Sequence, residues 1–153
     1  MSTDDEIARF DWSRIQTYLG HAEMVPGVVR GLVAAPNEKK AARLGVWMER
    51  LLLSVAGPRE GCAPVATVLV AALPEMRPAG HSVALDLLSL IGAAQVTGPS
   101  HEQIGAVDVD EIRRAVAAGF SATRARSGRS PRARVAVSAA RLPPGQRHAA
   151  CSR

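Results

Sequence analysis

The chain has 153 residues, enough for one domain of ordinary size. Hydrophobic residues make up 47% of it, and no apolar run reaches the roughly 18 residues of a membrane-spanning helix. The net charge of +5 is unevenly distributed: residues 1–120 contain 11 Lys and Arg against 14 Asp and Glu, whereas residues 121–153 contain 8 Arg and no acid. The larger part of the chain is therefore mildly acidic, and a nucleic-acid function can rest only on the C-terminal segment.

The cysteine content and the N-terminus both favour a cytoplasmic protein. Two cysteines, Cys62 and Cys151, lie far apart in the sequence and do not form the pattern of a disulfide framework. The first ten residues, MSTDDEIARF, are acidic and lack the apolar core of a signal peptide. We therefore expect no export and a reducing compartment.

The apolar spacing predicts five or six helices and no strand. Thr3 and Glu6 have the form of a capping box, which predicts a first helix that carries apolar residues at helical spacing and ends at Gly20. Pro26 is expected at the start of the second helix, because a proline in the first turn sacrifices no hydrogen bond there. Asn37 is expected to be the N-cap of the third.

The middle of the chain predicts three longer helices, over residues 41–55, 63–73 and 79–94. The first of them contains Trp47 within an apolar stretch, which predicts a core position for this tryptophan. The second is apolar nearly all round and is therefore expected to be buried on most sides. The loop GPREG at residues 57–61 is interpreted as a turn between helices.

The last predicted helix begins at an acidic cap pattern formed by Asp108 and Glu111. Its apolar residues Ile112, Val116 and Phe120 are expected to face inward. If the array stops at this helix, an apolar surface near these three residues stays uncovered, which predicts self-association through an uncapped last helix.

An internal repeat relates the two halves of this helical region. Pro26 and Pro64 are 38 residues apart, and each precedes a short apolar segment. A shift of 37 residues aligns Leu51 with Leu88 in the helices that follow. Two helices per unit at a period near 40 residues are typical of a helical-hairpin solenoid. An irregular helical bundle is the alternative interpretation.

The chain also resembles a known group of proteins. The residues that carry the resemblance are a step formed by Gly20, Ala22, Val25 and Pro26, and the segments YLGHAEMVPGVVRGL, KKAARLGVWMERLLLSVAG, APVATVLVAALPEM and ALDLLSLIGAA. Over residues 11–119 the sequence resembles bacterial HEAT-repeat-like proteins, which are armadillo-type helical solenoids. Such proteins usually have a His-Gln-Gly between the first and second pairs of helices, where this chain has Val55-Ala56-Gly57.

The resemblance implies a fold class and a general function. It implies an all-α, HEAT-like, right-handed array of about two and a half hairpins in residues 1–119. Proteins of this group are generally interaction scaffolds, so the implied function is a non-enzymatic protein-binding module with an unknown protein partner. Some helical-repeat proteins of this kind resemble toxin-neutralising immunity proteins, which is the first alternative.

Residues 120–153 depart from the expected pattern, which requires a further hairpin after the last helix. Three interpretations stay open for this low-complexity basic tail: an arm that binds nucleic acid, a disordered terminus, or out-of-frame sequence in a chain truncated or frame-shifted after about residue 119. The tail contains no aromatic residue, so it offers no stacking platform for single strands. Under the first interpretation, the polyanion contacts are Arg124, Arg126, Arg129, Arg132 and Arg134.

Few residues have a pattern typical of chemistry. The four histidines show no metal-ligand spacing, and no phosphate loop, nucleophile elbow or dinucleotide fingerprint occurs. We therefore expect no catalytic residue, no metal and no cofactor. The charged start of the third helix, Lys39, Lys40 and Arg43, is either a solvated face or a surface that faces a partner.

Overall fold

The structure is a computed structural model that describes residues 2–54, 57–95 and 107–127, with the side chains of the last helix described as far as Ser121. The described residues are mostly helical. The helices are α1 (Thr3–Ile7), α2 (Val25–Val33), α3 (Glu38–Leu52), α4 (Cys62–Ala72), α5 (Pro78–Ala93) and α6 (Val109–Ser127). A 3-10 turn spans Ala22–Met24, and four strands of two residues each are β1 (Gln16–Thr17), β2 (Gly20–His21), β3 (Leu53–Ser54) and β4 (Gly57–Pro58).

The first helix is much shorter than predicted and begins one residue earlier. Ser2 is its N-cap: the Ser2 hydroxyl accepts from the Asp5 amide at 3.2 Å, and the Asp5 carboxylate accepts from the Ser2 amide at 2.9 Å. The prediction that Thr3 and Glu6 form the capping box is wrong. Thr3 donates its amide and its hydroxyl to the Glu75 carboxylate instead, and the buried Glu6 pairs with Arg9.

The prediction of no strand is also wrong, because two short antiparallel pairs form around glycines. β1 pairs with β2 and β3 pairs with β4. Gly20 and Gly57 have φ angles of +110° and +116°, in the left-handed region where glycine lacks the steric penalty of other residues. The first helix therefore does not continue to Gly20.

Long-range hydrogen bonds hold the segment between α1 and α2, which was expected to continue the first helix. The Tyr18 amide donates to the Leu51 carbonyl at 2.9 Å, and the Tyr18 hydroxyl donates to the Gly57 carbonyl at 2.8 Å. Trp12 is buried, and its indole N–H donates to the Ile7 carbonyl at 2.8 Å. This segment is thus held against the end of α3 and against Gly57 of β4 rather than by its own helical hydrogen bonds.

The four helices predicted between Pro26 and residue 94 are confirmed, with ends that differ by one to three residues. Pro26 lies in the first turn of α2, and Asn37 caps α3 by accepting the Lys40 amide at 2.9 Å. α4 is buried on most of its surface, as its apolar sequence predicts. Among the described helices, none is long and apolar enough to cross a membrane.

The acidic cap of α6 is confirmed, because Asp108 accepts the amides of Asp110 and Glu111 at 2.9 and 3.0 Å. Ile112 and Val116 are buried, so the prediction that they contribute to an uncovered apolar surface is wrong. Phe120 is 44% exposed and does not face inward. The expectation of self-association through this helix now rests on Phe120 alone.

α6 continues to Ser127 and therefore crosses the predicted domain boundary at residue 119. Most of the predicted basic tail, residues 128–153, lies outside the described residues. The boundary itself stays a prediction.

The most extensive helix contacts join helices that are separated by one other helix in the chain, α4 with α6 and α3 with α5. α2 contacts α3, α4 and α5, α3 contacts α5, and α4 contacts α1, α5 and α6. Glycines permit three of the closest approaches. A methyl group on Gly80 of α5 would overlap the Leu32 carbonyl oxygen of α2, and one on Gly119 of α6 would overlap Val70 of α4. On α3, a methyl group on Gly45 would lie 2.6 Å from Val83 of α5.

A matched pair of glycine substitutions tests the closest of these helix contacts. Gly80 and Gly27 are each the third residue of a helix that has a proline in its first turn. We expect Gly80→Ala to lower the free energy of unfolding by about 1–3 kcal/mol, because the new methyl group forces α5 away from the α2 backbone. Gly27→Ala meets nothing within 4 Å and should raise it by up to about 1 kcal/mol.

Urea denaturation at constant temperature measures both differences. The two substitutions add the same methyl group at the same helix position. Their effects on helix propensity therefore cancel when the two variants are compared. Equal shifts in the two variants would show that α5 does not approach α2 as closely as described.

Candidate functional site

The outward side of α3 carries an unusual combination of basic and apolar side chains. Lys39, Lys40, Arg43, Val46 and Trp47 are all exposed, and we call these five residues the α3 face. Val46 is 50% exposed and Trp47 is 44% exposed. Because an α-helix turns by about 100° per residue, positions 39, 43, 46 and 47 lie on one side of the helix. The face is therefore continuous over about two turns.

The opposite side of α3 explains why the face points outward. Ala41, Gly45, Met48 and Leu52 recur at helical spacing, and all four are buried. Gly45 meets Val83 of α5, so this side of the helix is fixed against its neighbour. The prediction that Trp47 belongs to the core is wrong, because Met48, the next residue along the helix, takes the core position.

Two adjoining depressions border the α3 face. The first has a volume of about 480 Å³, and its described lining residues are Asn37, Lys39, Lys40, Arg43, Leu44 and Trp47. The second, of about 590 Å³, lies between the N-terminal ends of α3 and α5. They share Asn37 and Lys39, and the second also includes Arg77. The surface thus joins an apolar wall at Trp47 to a basic edge that extends to α5.

In the described part of the chain, the three cations of the α3 face lack the ion pairs that several other basic residues form. Elsewhere in the described residues, several exposed arginines pair with acids; these pairs are Arg9–Glu6, Arg14–Asp11, Arg30–Asp4, Arg113–Asp110 and Arg114–Asp108. Within the described part of the chain, no carboxylate lies within ion-pair distance of Lys39, Lys40 or Arg43. Three positive charges on one helix face therefore have no local counter-charge there.

The structure brings the three predicted partner-facing residues, Lys39, Lys40 and Arg43, onto one surface, although their role stays a prediction. Sequence reasoning missed Trp47 and Arg77. Trp47 is four residues after Arg43 and eight after Lys39, and this spacing is a signal that places all three on one face. Arg77 carries no such signal, because its position depends on how α5 packs beside α3.

The predicted polyanion contacts cannot be placed in the same way. Arg124 and Arg126 belong to α6, but their side chains lie outside the described residues. Arg129, Arg132 and Arg134 also lie outside them. The nucleic-acid interpretation of the tail stays a prediction.

The remaining reactive side chains do not converge. In the described ranges, no group of three or more His, Cys, Asp or Glu residues could hold a metal ion. In the GPREG loop, the Arg59 guanidinium lies 4.5 Å from the centre of the Tyr18 ring, a cation–π contact that joins the connection between β4 and α4 to the turn between β1 and β2. Cys62 is fully buried, and its thiol donates to the Leu52 carbonyl with a sulfur–oxygen distance of 3.5 Å.

Comparisons with known proteins give no relative. No protein-family model matches the chain, and no curated protein and no solved structure matches it. The resemblance to HEAT-repeat-like proteins thus stays a prediction.

The buried thiol of Cys62 is expected to be unreactive in the folded protein. Burial raises the pKa of the Cys62 thiol from 9.0 to about 12, so little thiolate is present near neutral pH. In a Cys151→Ser background, we expect a chromogenic disulfide reagent to modify Cys62 at pH 8 only after urea is added. Rapid modification without urea would contradict the burial.

The same thiol gives a pH dependence of stability. Because folding raises the pKa of this thiol, its contribution to the free energy of unfolding is complete below about pH 9. That contribution is lost as the pH rises from about 9 towards about 12. We expect the urea midpoint of Cys151→Ser to fall more steeply over this interval than that of Cys62→Ala/Cys151→Ser. Parallel curves for the two variants would show that Cys62 does not contribute.

Proposed function

We propose that the chain is a non-enzymatic helical-repeat module that binds a protein partner. In this proposal α2–α3 and α4–α5 are two hairpins of a HEAT-like array, and α6 is the first helix of a third. The pattern of contacts supports it: α2 packs on α4 and α4 on α6, while α3 packs on α5. Packing of equivalent helices from successive hairpins is typical of a helical solenoid.

The repeat in the sequence supports the same arrangement. Pro26 lies in the first turn of α2 and Pro64 in the first turn of α4, so the two prolines occupy similar positions in successive hairpins. Leu51 on α3 and Leu88 on α5, which the shift of 37 residues aligns, are both buried. The residues that the sequence repeat aligns therefore occupy similar positions in the two hairpins.

The single observation that carries the binding function is the α3 face. Exposed aromatic and aliphatic side chains next to cations without local counter-charges are typical of a surface that a partner covers. The core side of α3 is fixed by Gly45, Met48 and Leu52, so the face needs no rearrangement to be presented. A preformed surface of this kind binds through shape and charge complementarity, without a chemical step.

Site-specific photo-crosslinking in the cells that produce the chain tests the proposal. The photoreactive residue p-benzoylphenylalanine replaces Arg43 in one variant and Arg14, which is exposed in the turn between α1 and β1, in the control. We expect a discrete adduct with one protein from position 43 and none of that mass from position 14. The same adduct pattern at both positions, or no adduct at position 43, would contradict the proposal.

A further inference from the structure

We infer that the α3 face binds an acidic segment of its partner, with an apolar side chain of that segment packed against Trp47 and Val46. This inference rests on the proposed protein-binding function and adds the chemistry of the partner. It is argued from the charges of the face, from its apolar part and from the pairing of the acids elsewhere in the chain.

Charge complementarity determines the acidic character of the occupant. Lys39, Lys40 and Arg43 project three positive charges from one and a half turns of helix, and Arg77 extends the basic edge across the second depression. Among the side chains of a protein partner, the carboxylates of Asp and Glu neutralise such charges with directed hydrogen bonds. A segment with several Asp or Glu residues therefore fits this edge.

The occupant is more consistent with another protein than with a second copy of this chain. Several exposed acids of this chain already pair with their own arginines: Asp4 lies 2.8 Å from Arg30, and Asp11 lies 3.3 Å from Arg14. Two acids at the start of α6 do the same, since Asp110 pairs with Arg113 at 3.6 Å and Asp108 with Arg114 at 3.7 Å. If these acids bound the α3 face of a second copy, their existing ion pairs would have to break. An acidic segment of another protein would form ion pairs with the α3 face without breaking these.

The apolar part of the face provides an anchor point. Trp47 and Val46 are about half exposed, and Leu44 lines the depression beside Trp47. Tryptophan is enriched among the residues that dominate binding energies when a partner covers them. An aliphatic or aromatic side chain in the acidic segment would cover this ring and remove its apolar surface from water.

An acidic peptide fits the face better than a nucleic acid does. Glu38 and Glu49 are exposed along one edge of the same helix, where they repel a phosphate backbone that continues past the face. Trp47 provides one stacking position, whereas a single-strand groove stacks successive bases on several aromatic rings.

Selection from a random peptide library tests the inference. The full-length chain is immobilised, and phage-displayed peptides of about 12 residues are selected on it. Selection is carried out at about 0.15 M salt, where long-range attraction to isolated charges is screened. We expect the enriched peptides to combine an excess of Asp and Glu with at least one Leu, Ile, Phe or Trp.

Matched variants locate the binding to the α3 face. We expect Lys39→Gln/Lys40→Gln/Arg43→Gln to bind the best peptide about tenfold more weakly, since each exposed ion pair contributes little and three together contribute measurably. Trp47→Ala should weaken binding about tenfold or more. The charge control is Arg14→Gln/Arg113→Gln/Arg114→Gln, and the ring control is Phe120→Ala, whose ring is as exposed as that of Trp47.

The controls should bind within a factor of about two of the unchanged chain. Arginines of residues 121–153 are the same in every variant, so a difference between variants cannot arise from them. All substituted residues are exposed, and urea denaturation is expected to give the same midpoint for each.

Each outcome supports or overturns the inference. Enriched peptides without an excess of acids, or acidic peptides whose affinity the α3-face variants do not change, overturn it and leave the protein-binding function standing. If no peptide is enriched while position 43 still forms its adduct, the inference alone fails; if both experiments give nothing, the proposed function fails too. A 12-nucleotide oligothymidine that binds more tightly than the peptides, through Trp47 and the three cations, assigns the face to nucleic acid instead.

Discussion

The close approach of α5 to the C-terminal end of α2 determines how the first turn of α5 lies relative to the start of α3. Gly80 leaves no room for a side chain against the Leu32 carbonyl, and the Arg77 amide donates to the Val33 carbonyl at 3.4 Å. The first turn of α5 is thereby held beside the short connection that leads into α3. This is why Arg77 and Lys39, 38 residues apart in sequence, border the same depression.

The helices from α2 onward were predictable because local signals agree with the tertiary packing. Asn37 and Asp108 accept hydrogen bonds from amides of the same helix end, and Pro26 suits a first turn because it has no amide hydrogen that needs a partner, so the sequence is sufficient to identify these three helix starts. The segment before α2 was not predictable. Its apolar residues have helical spacing, but Tyr18 is held by hydrogen bonds to the carbonyls of Leu51 and Gly57, and no local pattern contains that information.

The candidate site was predictable in part for the same reason. Lys39, Lys40 and Arg43 are charged residues at a helix start and are readily placed on an exposed face. Trp47 was assigned to the core from residue type alone, although its phase on the helix matches Arg43 rather than Met48. The position of Trp47 around the helix therefore predicts its exposure better than its residue type does. The place of Arg77 beside the α3 face could not be predicted from the sequence, because it depends on how α3 and α5 pack.

The burial of α4 affects how the whole molecule loses its structure. In many helical arrays a terminal hairpin can open while the rest persists, because each unit contacts only the next. Here α4 contacts α1, α2, α5 and α6, and its residues Val65, Ala66, Val68 and Leu69 are completely buried. Removing any one neighbour exposes an apolar side of this helix to water. We therefore expect opening to be costly from either end, with α4 and the helices that it contacts unfolding as one cooperative unit.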